Sequence, residues 1–76
     1  MNRYINKAKS VKLKDFDEVL NGFRDKDIIS FSDSSLLRKA FFHCLEGEDY
    51  MAEDLLNSAD THIRETFCDI VDKAIK

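Results

Sequence analysis

The sequence predicts an all-α protein, a small bundle of three to four amphipathic helices, and three observations lead there. Apolar residues recur at spacings of three and four instead of alternating. Proline is absent and glycine occurs only twice in 76 residues, so little interrupts a helical backbone. The one Asn-Gly pair, Asn21-Gly22, has no alternating stretch on both sides and so does not read as a hairpin turn. With 43% apolar and 36% charged residues, the chain has enough Leu, Ile, Val and Phe to order itself as a single domain.

Residues 3–9 have room for a turn or two of helix, which at that length needs packing to persist. From Leu13 the positions Leu13, Phe16, Leu20 and Phe23 form one apolar stripe, with Asp15, Asp17 and Glu18 between them, and predict a helix ending near Arg24. Residues 25–32 then read as an irregular joint whose Ile28, Ile29 and Phe31 plug the core. Ser32 or Asp33 is the expected cap of the next helix. Its buried stripe is Leu37, Ala40, Phe41, Cys44 and Leu45, and Gly47 is its left-handed stop. Leu36 and Phe42 fall off that stripe, so this helix is apolar over a wide arc, as a central helix or an interface helix would be.

The stretch from Gly47 to the end of the chain holds a nearly straight seam of Ala52, Leu56, Ala59, Ile63, Phe67, Ile70 and Ala74. The evenness of the seam fits one helix from Asp49 to Ile75, roughly 40 Å long at 1.5 Å per residue. Asn57, Ser58, Asp60 and Thr61 are mediocre helix formers clustered together, with Ser58 or Asp60 able to cap a new start. A chain this short closes a core more easily with short helices, which favours a break at 57–61. A small core also needs support from outside, and self-association as a homodimer is the expected source.

Net charge is −3, but it is unevenly placed. Residues 1–14 carry Arg3, Lys7, Lys9, Lys12 and Lys14 without an acid, whereas the rest of the chain carries fifteen acids. A basic head of this kind is a candidate polyanion-binding arm, or it neutralises an acidic body. No apolar run reaches the ~18 residues of a membrane span, and MNRYINKAKS shows no signal segment, so the expected setting is cytoplasmic with no membrane partner.

Enzyme chemistry finds little to work with. His43-Cys44 are helix neighbours pointing about 100° apart, which spoils them as a nucleophile and its base. His62 and Cys68 lack close metal-ligand spacing, and Glu46, Glu48, Asp49, Glu53 and Asp54 lack the alternation of a calcium loop. There is no phosphate-cradling glycine loop. No metal, no cofactor and no catalytic residue is expected. Helix, turn, helix across residues 34–59 has the outline of a DNA reader, but its second helix opens EGEDYMAED, which phosphates would repel. Asp33-Ser34-Ser35-Leu36 approaches the modifiable Asp-Ser-Leu of acyl carrier proteins, with an extra serine and basic residues following; a plain helix cap explains it better.

What remains is a small acidic, non-enzymatic protein that regulates or inhibits another protein by contact, with nucleic-acid-handling proteins among the candidate partners. Its candidate partner-binding residues are Phe42, Tyr50, Glu48, Asp49, Glu53 and Asp54, because aromatics anchor interfaces and acids steer toward basic targets. The alternative is a nucleic-acid-associated modulator of transcription using the basic segment. In outline, Tyr4-Ile5, Lys7 and Lys9 followed by an acidic amphipathic helix and then Ser32-Asp33 resembles the small nucleoid-associated Hha-type modulators. The later motifs of that group do not follow in order.

Overall fold

A helix of seven residues makes too few internal hydrogen bonds to persist alone in water, so the first helix, α1 (Asn2–Ala8), depends on what it packs against. In the computed structural model, which describes residues 2–75, its Ile5 and Ala8 lie three apart on one face, and both are buried together with Val11 just beyond its end. Val11 and Ser10 close that end by donating their N–H groups to the carbonyls of Ala8 and Lys7.

Helix α2 (Leu13–Asp25) follows the predicted stripe, with Phe16 and Leu20 fully inside and Leu13, Val19 and Phe23 packed against them. It ends in a Schellman motif. The Asp27 N–H donates to the Arg24 carbonyl and the Ile28 N–H to the Phe23 carbonyl, with Asp27 in the left-handed region at φ 59°.

The cap of helix α3 (Phe31–Leu45) lies two residues before Ser32 and three before Asp33, the expected positions. Ser30 is the N-cap: its hydroxyl accepts from the Asp33 N–H at 3.1 Å, while the Asp33 carboxylate accepts from the Ser30 N–H at 3.4 Å. The cap is thus neither Ser32 nor Asp33. Asp33 does contribute, but as the far side of the box. The shift moves Phe31 out of the joint and onto the helix surface, where it is 71% exposed, and Ile28 is also outside. Of the three expected core plugs only Ile29 is buried. Leu45, expected in the buried stripe, lies at the surface as well. Gly47 at φ 77° gives α3 the same Schellman ending, with Gly47 donating to Cys44 and Glu48 to His43.

The C-terminal seam is divided between α4 (Asp49–Ser58) and α5 (Thr61–Ala74). The break falls within residues 57–61, as the weak helix formers there predict, so the alternative of one long helix is excluded, and with α1 the described residues form five helices instead of three or four. Ala59 and Asp60 are both extended, at ψ 161° and 166°, which turns the chain. The Asp60 side chain makes no cap bond. Arg64 ties the joint from its acceptor side: its Nη1 donates to the Ala59 carbonyl at 2.8 Å and Nη2 to Thr61 Oγ1 at 3.1 Å. The break costs the seam little, since Ala52, Leu56, Ile63, Phe67, Ile70 and Ala74 are all still buried.

Helix α3 touches each of the other four helices, and so does α5. Around them the core closes on three phenylalanines from three helices. Phe16 stacks on Phe41 and meets Phe67 at a tilt of 54°, with ring centroids 6.1 Å apart. The buried hydroxyls are satisfied locally, Ser34 by the Phe31 carbonyl and Thr66 by the His62 carbonyl. The result is a flattened body of 30 × 28 × 16 Å.

Candidate protein-binding surface

A charged head and an acidic body on one short chain have to come to terms with each other, and the fold settles part of that within the molecule. Lys7 Nζ donates to Asp72 Oδ1 at 2.6 Å, joining α1 to α5, and the Tyr4 hydroxyl donates to the other oxygen of the same carboxylate. Lys9 Nζ pairs with Asp49 Oδ2 at 2.9 Å, joining the end of α1 to the first turn of α4. The Lys7 hydrogen bond holds the Asp72 carboxyl below its usual range. Arg3, Lys12 and Lys14 remain exposed, Lys12 and Lys14 beside a shallow hollow shared with Ser10, Asp15 and Ala74. The five cations of the basic segment are thus not all free: two of them are paired with acids at the surface.

The acidic candidates divide in the same way. Asp49 is part-buried and committed to Lys9 through one oxygen, while its Oδ1 is buried without a hydrogen-bond partner. Glu48 lies with a carboxylate oxygen 2.9 Å from His43 Nδ1. Asp54 is exposed and Glu53 half-buried, one turn on from Tyr50, which is 83% exposed at the start of α4. Met51, half exposed, stands beside Tyr50; its position off the Ala52–Leu56 seam was readable in the sequence but was not read.

Phe42 lies on the outer face of α3, 36% exposed, with the Arg38 guanidinium 5.4 Å from its ring centroid. Arg38 is itself held in a fork by Asp17, through Nε at 3.2 Å and Nη2 at 3.3 Å. Nearer the N-terminus of α3, Arg24 lies 5.8 Å from the Phe31 centroid. Both arginines keep exposed aromatic faces partly covered. A groove of about 350 Å³ runs along this face past Arg38, Lys39, Phe42 and His43. A second, of about 320 Å³, continues from Lys39 and His43 to Met51, Asp54 and Leu55. Phe42 and Asp54 therefore belong to one continuous surface across α3 and α4. Tyr50 flanks it, and Lys39 and His43 form the ridge between the grooves.

The cysteines are placed for packing. Burial pushes the Cys44 thiol up to about 11, with the nearby Asp49 carboxylate adding to the shift. Cys68 is half-buried and shifted upward for the same first reason. His62 Nε2 is 3.3 Å from the Ile28 carbonyl oxygen and so ties α5 to the α2–α3 joint. Among the described residues no three His, Cys, Asp or Glu side chains converge as a metal-holding group, and no helix is long and apolar enough to cross a membrane.

Comparison with protein-family models, curated proteins and solved structures finds no match to this chain.

Proposed function

We propose that this protein is a small, acidic, non-enzymatic regulator that acts by docking on another protein through the outer side of α4. The observation that carries the reading is Tyr50, a large amphipathic side chain 83% exposed on a well-packed helix, with Met51 beside it and Glu53 and Asp54 one turn on. A rigid aromatic with an apolar neighbour and an acidic rim is the composition of an interface anchor that meets a basic target. The internal engagement of Lys7 and Lys9 supports the same reading over the nucleic-acid one, because it removes two of the five cations the basic segment offers a polyanion. The upward-shifted thiols suit structural cysteines better than nucleophiles.

The nucleic-acid alternative keeps the exposed Arg3, Lys12 and Lys14. One experiment separates the two. A photocrosslinking residue is placed at Tyr50, at Lys12, or at exposed Asn21 as a control, in the native host. A discrete protein adduct from position 50, absent from position 21 and lost on Asp54→Lys, supports docking through α4. A nuclease-sensitive adduct from position 12 with none from position 50 replaces it with the nucleic-acid reading.

A further inference from the structure

The outer face of α3 carries more apolar surface than a closed five-helix core requires. The core is complete without it, since Phe16, Phe41 and Phe67 are fully buried within the single chain. Yet Phe42 and Leu45, three residues apart and each next to a buried residue, Phe41 and Cys44, stand at the surface of this helix, and Met51 of α4 lines the neighbouring groove with Lys39 and His43. Two charges of opposite sign border the same face. Lys39 and Glu46 are both exposed, and neither makes an ion pair among the described residues, although Arg38, His43 and Glu48 around them all do.

Their spacing is the informative feature. Lys39 and Glu46, the C-cap just past the end of α3, are seven residues apart, two helical turns, and so lie along the same edge, one before and one after Phe42 in the chain. Within one helix that distance is too long for an ion pair, for which three or four residues are needed. Against an antiparallel copy of the same helix it is the right distance. A twofold axis between residues 42 and 43 sets Lys39 of each chain opposite Glu46 of the other, brings the two Phe42 rings together, and lays each Arg38 stem over the Leu45 of the second copy.

We infer that the protein self-associates as a twofold-symmetric dimer through antiparallel pairing of α3, with Phe42 at the centre and two reciprocal Lys39–Glu46 ion pairs as its register. The occupant of this face is a second copy because the face is complementary to itself: one edge presents a cation and an anion at equal distances from an apolar centre, which is what an isologous contact needs. About this axis the two copies of α3, which ends at Leu45, overlap over residues 40–45, about 9 Å of helix, so the contact falls at the small end of specific interfaces. The dimer is therefore dissociable, and the monomer stays folded. The pairing leaves Tyr50 and Glu53 outside its centre and holds whether or not α4 docks on another protein.

The test is solution mass by sedimentation equilibrium over a dilution series of the reduced full chain, with circular dichroism to establish that each variant remains folded. Wild type is expected to pass from dimer to monomer on dilution. Lys39→Glu and Glu46→Lys alone each place like charges opposite one another twice and raise the dimer dissociation constant at least about tenfold. Combined, they restore the wild-type constant, because the exchange reproduces both pairs with the signs reversed. A monomer at every concentration overturns the inference. So does a dimer indifferent to both single exchanges, or one that the double exchange fails to restore.

Discussion

The rings of Phe16 and Phe41 lie 4.0 Å apart between centroids and 7° from parallel, so α2 and α3 meet through an almost face-to-face aromatic contact with no exposure on either side. Truncation of either ring leaves a cavity that neighbours fixed by three other helices cannot close. Phe16→Ala or Phe41→Ala is expected to cost about 3–5 kcal/mol. A domain of this size has roughly 5 kcal/mol to lose, so neither variant should give a cooperative urea transition. Phe31→Ala, at an exposed ring, should stay within about 0.5 kcal/mol of wild type. A large loss at Phe31 instead would put that ring inside the core and move the start of α3.

Helix α3 starts at a reciprocal capping box, which makes its boundary testable by one hydroxyl. Ser30→Ala removes the acceptor for the Asp33 N–H and should cost about 1 kcal/mol. Ser32→Ala, at the second position of the helix with no hydrogen bond from its side chain, should cost almost nothing. Denaturant midpoints for the two variants decide between them.

That two-residue displacement of the cap accounts for most of what was misjudged from sequence. Ser30, Ser32 and Asp33 are all acceptable caps, and local chemistry does not choose between them. The choice is made by Ile29, which packs into the core only if the helix begins just after it. Once Phe31 is helical it faces outward, and a residue taken for a core plug becomes part of the surface. The break in the long seam from Ala52 to Ala74 was legible for a different reason: its period is kept across the Ala59–Asp60 bend, so periodicity alone gives no sign of it, but the run of weak helix formers at 57–61 marks the place. The stripes centred on Phe16, Phe41 and Phe67 were legible because they are regular and uninterrupted. The pairing of Lys7 with Asp72 and of Lys9 with Asp49 was not, because charges 65 and 40 residues apart in the chain meet only once the fold exists.

The Schellman motifs closing α2 and α3 differ in one residue. Asp27 occupies the left-handed position at φ 59° where Gly47 occupies it at φ 77°. An L side chain is strained there, whereas glycine is not. Asp27→Gly is expected to stabilise the protein and Gly47→Ala to destabilise it, each by about 1 kcal/mol. Nothing lies within 4 Å of a Cβ built at Gly47, so the loss would be backbone strain and not a clash. Thermal melts of the pair should shift in opposite directions.

Thiol labelling distinguishes the two cysteines. Cys68 is partly accessible on α5, while Cys44 has no exposed surface. In a brief iodoacetamide pulse Cys68 should be modified in the native state, and Cys44 only as fast as the whole domain opens. The Cys44 thiol, raised from 9.0 to about 11, also makes the fold sensitive to base. A raised folded value means stability that is complete below 9.0 and lost as pH climbs toward about 11. Cys44→Ala should show a shallower alkaline decline whatever its effect at neutral pH.

At the acid end one contributing group is Asp72, whose carboxylate accepts from Lys7 and Tyr4 between α1 and α5. Its carboxyl is shifted below the ordinary 3.8, chiefly by the Lys7 hydrogen bond. A depressed folded value contributes stability that is present above 3.8 and disappears as pH falls through the folded value. Because α1 is too short to persist unaided, loss of this tie should free the N-terminal helix before the rest of the bundle opens. Asp72→Asn is expected to melt below wild type at neutral pH, and the gap should narrow with added salt. It should close altogether at pH values where the wild-type carboxylate is protonated. Melting temperatures of the two proteins across an acid series provide the check. A gap that persists unchanged into strong acid would mean that Asp72 holds α1 by packing and not by charge.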